Sequence, residues 1–88
     1  MYSHEIKQHL QEILQKLAKK DKALYFRVVN KINEIIQEKE VEHYKNLRYP
    51  LQDKKRVQIG HFVLVFRFNK QENKIYFLDF EHHDNAYK

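Results

Sequence analysis

The fold is decided by the stretch RVQIGHFVLVF, residues 56–66. Polar and apolar residues alternate before Gly60, and an apolar run begins at Phe62. A period of two is typical of β-strands. Gly60 and His61 separate the two strands, and glycine tolerates the backbone angles that a tight reversal requires. The stretch therefore predicts two antiparallel strands joined by a short turn.

The second of these strands has two different faces. One face carries Phe62, Leu64, Phe66 and Phe68, and the other carries His61, Val63, Val65 and Arg67. Because alternate side chains of a strand point to opposite sides, we expect the aromatic face to pack on the core and the other face to stay partly open. A polar turn at residues 69–73 and a third strand at residues 74–80 complete an antiparallel meander.

Two amphipathic helices precede the strands. The first is predicted over residues 3–19, where aliphatic residues recur at helical spacing and Ser3 is the N-cap. The apolar face of the second extends from Leu24 to Ile36, and Asp21 is placed to cap its first turn. So short a connection predicts an antiparallel helix hairpin. The fold class is therefore α+β, with an N-terminal helix hairpin packed on a C-terminal antiparallel sheet of three to four strands.

Length and composition place further bounds on the protein. Its 88 residues predict a single domain over residues 1–88, and the absence of cysteine excludes disulfides and thiolate zinc sites. The longest apolar run, residues 62–66, is far shorter than the roughly 20 residues needed to span a bilayer. The first residues do not resemble a signal peptide. We therefore expect a cytoplasmic protein without a membrane partner.

Positive charge is concentrated between the helices and the strands. The net charge is +5, and residues 44–56 contain five cations against one anion. Cations that neutralise phosphates, interleaved with Tyr44 and Tyr49, are typical of surfaces for single-stranded RNA. A solvated loop is the alternative interpretation. The predicted RNA-binding residues are Lys45, Arg48, Lys54, Lys55 and Arg67.

The stretch FEHHDNAYK, residues 80–88, is the candidate for chemistry. Its imidazoles titrate near neutral pH, and a phenol can donate a hydrogen bond or stack on a base. A solvated charged end is again the alternative. Because His82 and His83 are adjacent on an extended chain, they point to opposite sides and do not suit one metal ion unless the strand has already ended. A site with His61 or Asp84 could then be assembled, but the spacing matches no known metal signature. The sequence therefore predicts neither a metal nor a cofactor.

Strand alternation would place His83 on the same side as Asp79 and Glu81, which supplies a carboxylate neighbour for its imidazole. The same two carboxylates could pair as catalytic groups, but a polar strand face that balances Arg67 and Lys74 is the preferred interpretation. His9, on the surface of the first predicted helix, is expected to be solvated.

Four features occur together in this chain: two helices, a basic connector, the strands around Gly60 and the final His-His-Asp-x-x-Tyr. In this combination they resemble the RelE/ParE superfamily of toxin–antitoxin proteins. The resemblance extends over the whole chain. It implies a ribosome-dependent endoribonuclease that cleaves mRNA in the A site without a metal, and a cognate antitoxin as its protein partner. Members of the family usually open with a strand, for which residues 1–5 leave little room.

The resemblance also implies roles for individual residues. Arg56 falls at a basic position that could hold the scissile phosphate, and Tyr87 falls at the near-terminal tyrosine that orients the substrate. His83 is the preferred proton donor, and His82 takes that role if the strand ends earlier. Relatives typically have an arginine where this chain has Val63, and a substitute charge would come from His61 together with His83.

Two other functions remain open at this point. ParE-like relatives share much of the fold and poison DNA gyrase by protein contact, without nuclease activity. The second alternative is an RNA- or ribosome-binding module that has lost cleavage. The histidines and the basic connector favour the nuclease, because gyrase binding needs neither a proton donor nor a phosphate site.

Overall fold

The structure, a computed structural model, describes residues 2–44 and 54–86. In chain order the elements are β1 (Ser3–Ile6), α1 (Gln8–Lys20), α2 (Lys22–Gln37), a 3-10 turn (Val41–His43), β2 (Lys55–Ile59), β3 (Phe62–Asn69), β4 (Lys74–His82) and α3 (His83–Ala86). The strand order in the sheet is β1-β4-β3-β2. Strands β2, β3 and β4 are antiparallel, and β1 is parallel to β4. The predicted α+β fold is confirmed, with one parallel pair added to the antiparallel sheet.

The start of the chain differs from the prediction. Residues 3–6 form a strand, and the first helix begins at Gln8, so Ser3 is not an N-cap. The pairing with β4 explains the difference, because Ile6 lies opposite Phe77 and the Lys7 N–H donates to the Phe77 carbonyl at 2.9 Å. A period-3.6 pattern that includes Ile6 cannot reveal that this residue belongs to a separate strand.

A single residue joins the two long helices. Asp21 Oδ1 accepts a hydrogen bond from the Leu24 N–H at 3.1 Å, and the Asp21 N–H donates to the Leu17 carbonyl at 2.8 Å. The same residue therefore ends α1 and caps α2, which confirms the predicted cap. None of the helices in the described part of the chain is long and apolar enough to cross a membrane.

The predicted turn between β2 and β3 is confirmed. Ile59 and Phe62 are directly paired, which leaves two residues for the reversal. Gly60 adopts a φ of 62°. Two-residue hairpin turns require a positive φ at their first central position, and only glycine accepts it without strain.

The core lies between the helices and one face of the sheet. Helix residues Leu10, Val28 and Ile35 are fully buried. From the sheet, the buried members of this cluster are Ile59, Leu64, Phe66, Ile75, Phe77 and Phe80. The aromatic face of β3 thus packs on the helices, as predicted.

A bulge in β4 changes which residues share a face. Val65 pairs with Asp79, but Phe66 pairs with Phe77, so one residue of β4 is extra at this point. The β4 residues that face the core are therefore Ile75 and Phe77 before the bulge and Phe80 after it, three positions from Phe77 instead of two. The opposite side of the sheet, which we call the open face, is more closed than expected, since Val63 is 0% exposed and Val65 is 6% exposed.

Candidate functional site

Three histidines meet at one end of the sheet. His61 lies in the β2–β3 turn, His82 is the last residue of β4, and His83 begins α3. The rings of His61 and His82 are nearly parallel, at 13°, with their centroids 6.4 Å apart. The His83 N–H donates to the His61 carbonyl at 2.9 Å, which fixes the end of β4 against the turn. We call His61, His82 and His83 the histidine end.

His82 has a partner for its Nδ1 atom in both protonation states. The Asp84 N–H lies 3.4 Å from this atom and can donate to it when the ring is neutral. The Asp84 carboxylate lies 3.8 Å from it, within ion-pair range of a charged ring. The His82 side chain is 49% exposed, so its Nε2 atom is not enclosed by the protein. The second ring nitrogen is therefore available for proton exchange.

His83 does not lie where strand alternation predicted. Strand β4 ends at His82, and the chain turns into α3 at His83, so the alternation of Asp79 and Glu81 does not reach it. A carboxylate neighbour is nonetheless present, because His83 Nδ1 lies 3.8 Å from Asp84 Oδ1.

Arg56 and His82 lie on opposite faces of the sheet. Arg56 pairs with Val65, which pairs with Asp79 in turn, and these residues belong to the open face. His82 pairs with Phe62 on the helix side, where the two rings meet edge to face with centroids 5.6 Å apart. The structure thus brings the three histidines together and places Arg56 on the other side of β3.

The open face contains a carboxyl pair, Asp79 and Glu81, which the sequence offered as the less favoured interpretation of these residues. Asp79 Oδ1 lies 3.0 Å from His9 Nε2, although the His9 side chain is 64% exposed. A hydrogen bond with Asp79 raises the pKa of Glu81, and partial burial adds to the effect. His9 is exposed, as expected, and in addition contacts Asp79. No sequence pattern links residues so far apart in the chain.

The remaining basic residues have separate surroundings. Arg67 stacks over the Tyr76 ring, with its Cζ atom 5.2 Å from the centroid. Lys55 Nζ donates to the carbonyls of Glu42 and Tyr44, each at 3.2 Å. Lys54 precedes β2 and is half-buried. The predicted residues Lys45, Arg48 and Tyr87 lie outside the described residues.

Within residues 2–44 and 54–86, no three His, Asp or Glu side chains are grouped so that they could hold a metal ion. The histidine end therefore consists of three exposed imidazoles and the Asp84 carboxylate.

Sequence comparisons identify relatives along the full length of the chain. A protein of Methanocaldococcus jannaschii named as a candidate toxin, RelE4, is 49% identical over 89 residues, which cover 100% of this chain and 93% of that protein. An uncharacterised protein of Methanosarcina mazei is 38% identical over 88 residues, covering 99% of this chain and 100% of that protein. No family model matches the sequence.

Solved structures share the fold. The toxin–antitoxin complex RelBE2 of Mycobacterium tuberculosis contains a chain that superposes with a TM-score of 0.75 at 20% identity, covering 92% of this chain and 90% of that one. The isolated E. coli RelE toxin superposes with a TM-score of 0.70 at 15% identity, covering 93% and 84%.

Proposed function

The chain belongs to the RelE family of toxins, and from that premise we propose that it is the toxin of a toxin–antitoxin pair that cleaves mRNA on the ribosome. The histidine end is the observation that supports cleavage. Two exposed imidazoles, 6.4 Å apart at their centroids, occupy the end of the sheet, and His82 has a partner whether charged or neutral. Such an arrangement suits transfer of protons without a metal.

The proposed reaction is attack of a ribose 2′-oxygen on the adjacent phosphorus. The phosphorus–5′-oxygen bond breaks, and the products carry a 2′,3′-cyclic phosphate and a 5′-hydroxyl. His61 takes the proton of the 2′-hydroxyl, and His82 Nε2 gives a proton to the departing 5′-oxygen. General acid–base assistance of this kind contributes roughly 10²- to 10⁴-fold per group.

His83, Arg56 and Tyr87 have supporting roles in this proposal. His83 is the alternative proton donor and has Asp84 as its carboxylate neighbour. Arg56 contributes positive charge from the open face, where it attracts the phosphate chain approaching the sheet. Tyr87 orients the nucleotide, as its position in the family pattern implies.

Cleavage on translating ribosomes tests this function directly. Purified protein is incubated with ribosomes carrying a defined mRNA, and new 5′ ends are mapped. We expect cleavage by the parent and a loss of at least 100-fold for His82→Ala, consistent with the contribution of one general acid. His83→Ala distinguishes the two candidate donors, and His4→Ala is the matched control on β1. Inhibition of gyrase without new 5′ ends would instead support a ParE-like toxin.

A cognate antitoxin is the proposed protein partner. The net charge of +5 favours an acidic partner, and the structural neighbour RelBE2 is a toxin–antitoxin complex. We expect a small acidic protein encoded beside this chain to co-purify with it and to abolish its toxicity on co-expression. Toxicity that persists in the presence of every such neighbour would contradict the pairing.

A further inference from the structure

A cation of α2 lies beside the histidine end. Gly60 lacks a side chain, and a Cβ atom at that position would lie 3.4 Å from the Arg27 Nη1 atom. The guanidinium therefore extends from the helix to the backbone of the β2–β3 turn, next to His61. Arg27 itself is exposed. Among residues 2–44 and 54–86, no hydrogen bond or ion pair engages its guanidinium.

The neighbouring groups are aromatic and lie on the same side of the sheet. Phe62, the first residue of β3, stacks on Phe80 at 5.0 Å between centroids and meets His82 edge to face. Phe62 and His82 are directly paired, so both lie on the side from which Arg27 reaches the turn. Arg27 thus reaches the turn residue that precedes His61, whereas Arg56 belongs to the open face.

Val63 gives the open face an apolar side chain between its two neighbouring strands. Val63 is fully buried between Gln58 and Glu81, its partners on the adjacent strands, at the position where the family pattern has an arginine. A pentavalent phosphate intermediate needs positive charge within hydrogen-bond reach. An arginine satisfies this need with a planar fork of donors that matches two phosphate oxygens.

We propose that Arg27 binds a phosphate of single-stranded RNA at the histidine end and supplies the charge that Val63 cannot. The inference rests on the proposed nuclease function and assigns the phosphate to the helix side of the sheet. In this proposal the Arg27 guanidinium holds two non-bridging oxygens of the phosphate, while His61 and His82 face the flanking 2′- and 5′-oxygens. Phe62 presents an apolar surface to the adjacent nucleotide.

Binding of a fluorescent single-stranded oligouridylate, followed by anisotropy over a series of KCl concentrations, tests the phosphate contact separately from cleavage. Each contact contributes about 0.7 to the logarithmic salt slope for single strands. We expect Arg27→Gln to lower the slope by about 0.7 and Arg27→Lys to retain it. Lys16→Gln is the control. It also removes one positive charge, but from a surface groove of α1 lined by Glu12, Gln15 and Lys19, and it should leave the slope unchanged.

Cleavage on ribosomes is measured with the same preparations. We expect Arg27→Gln to reduce the single-turnover rate by roughly 100-fold, the effect of removing one donor from a charge-stabilising site, and Arg27→Lys to restore part of it. Equal salt slopes for Arg27→Gln and Lys16→Gln would overturn the inference. So would loss of antitoxin binding by Arg27→Gln with unchanged RNA binding, which would make this a protein interface.

The two proposals fail in different ways. If the parent does not cleave but Arg27→Gln still lowers the salt slope, the nuclease function is wrong and the RNA contact stands. If the parent cleaves and Arg27→Gln matches the Lys16→Gln control in both measurements, the nuclease function stands and the assignment of Arg27 is wrong. Circular dichroism of each variant verifies that these exposed substitutions leave the helices intact.

Discussion

At the scale of single residues, Glu81 and Glu5 respond to pH in opposite directions. The hydrogen bond with Asp79 raises the pKa of Glu81 above its ordinary value of 4.5. Lys7 and Lys74 lower the pKa of Glu5, with hydrogen bonds as the main cause. A raised pKa means that the folded chain binds the proton more tightly than the unfolded chain, and a lowered pKa means the reverse.

The first prediction follows from the sign of the Glu81 shift. Its contribution to stability is fully present below the unfolded pKa and is lost as the pH rises through the folded pKa, when two adjacent carboxylates carry like charge. Glu81→Gln should therefore weaken the decline in the free energy of unfolding from pH 4.5 to pH 7. Urea titrations of parent and variant at both pH values measure this change.

Glu5→Gln is the control with the opposite sign. The contribution of Glu5 is present above its unfolded pKa and is lost as the pH falls through the folded pKa. The variant should therefore lose relative stability at neutral pH and approach the parent in acid. If both variants shifted the pH profile in the same direction, the carboxyl pair on the open face would not be coupled as the structure indicates.

The individual chemical groups were more predictable than their partners. Histidines after an apolar strand could be identified as candidates because their titration range is a property of the side chain itself. The contact between His9 and Asp79 could not, because it depends on where α1 begins relative to the edge of β4. Arg27 was missed for the same reason, since a helical position alone does not show that its guanidinium reaches the β2–β3 turn.

At the scale of elements, the joint between the two helices depends on one carboxylate. Asp21 Oδ1 satisfies the Leu24 N–H at 3.1 Å, and such donors have no partner within the helix. Asp21→Ala should reduce the free energy of unfolding by about 1 kcal/mol. Asp21→Asn should retain most of the stability, because its amide oxygen can accept the same hydrogen bond. Urea denaturation measures both, and equal losses for the two variants would exclude the cap as the cause.

Element types were predictable from periodicity, but two registers were not. The hydrophobic pattern identified both helices and the strands around Gly60, because each buries one face. Strand β1 was hidden, since four residues are too few for a period to emerge and the stabilising partner, β4, lies at the other end of the chain. The bulge opposite Val65 was hidden because the surrounding side chains alternate plausibly with or without it.

At the scale of the whole molecule, Lys54 and Lys55 of the basic connector have different structural surroundings. The sequence placed Lys54 and Lys55 together as RNA-binding residues because both contribute to a concentrated positive charge. The structure separates them. Lys55 Nζ donates to the carbonyls of Glu42 and Tyr44 and so ties β2 to the segment after α2, whereas Lys54 precedes the strand. Net charge alone cannot distinguish a lysine that binds a phosphate from one that holds two chain segments together.

The last prediction is that stability and RNA binding divide between these two lysines. Lys54→Ala should lower the salt slope for a single-stranded oligonucleotide by about 0.7, with little change in stability. Lys55→Ala should cost about 1 kcal/mol in the free energy of unfolding, because two backbone carbonyls lose a charged donor. Paired urea and anisotropy titrations measure both quantities. A salt slope that falls equally in the two variants, with stability unchanged in Lys55→Ala, would mean that the two contacts of Lys55 give way to phosphate when RNA binds.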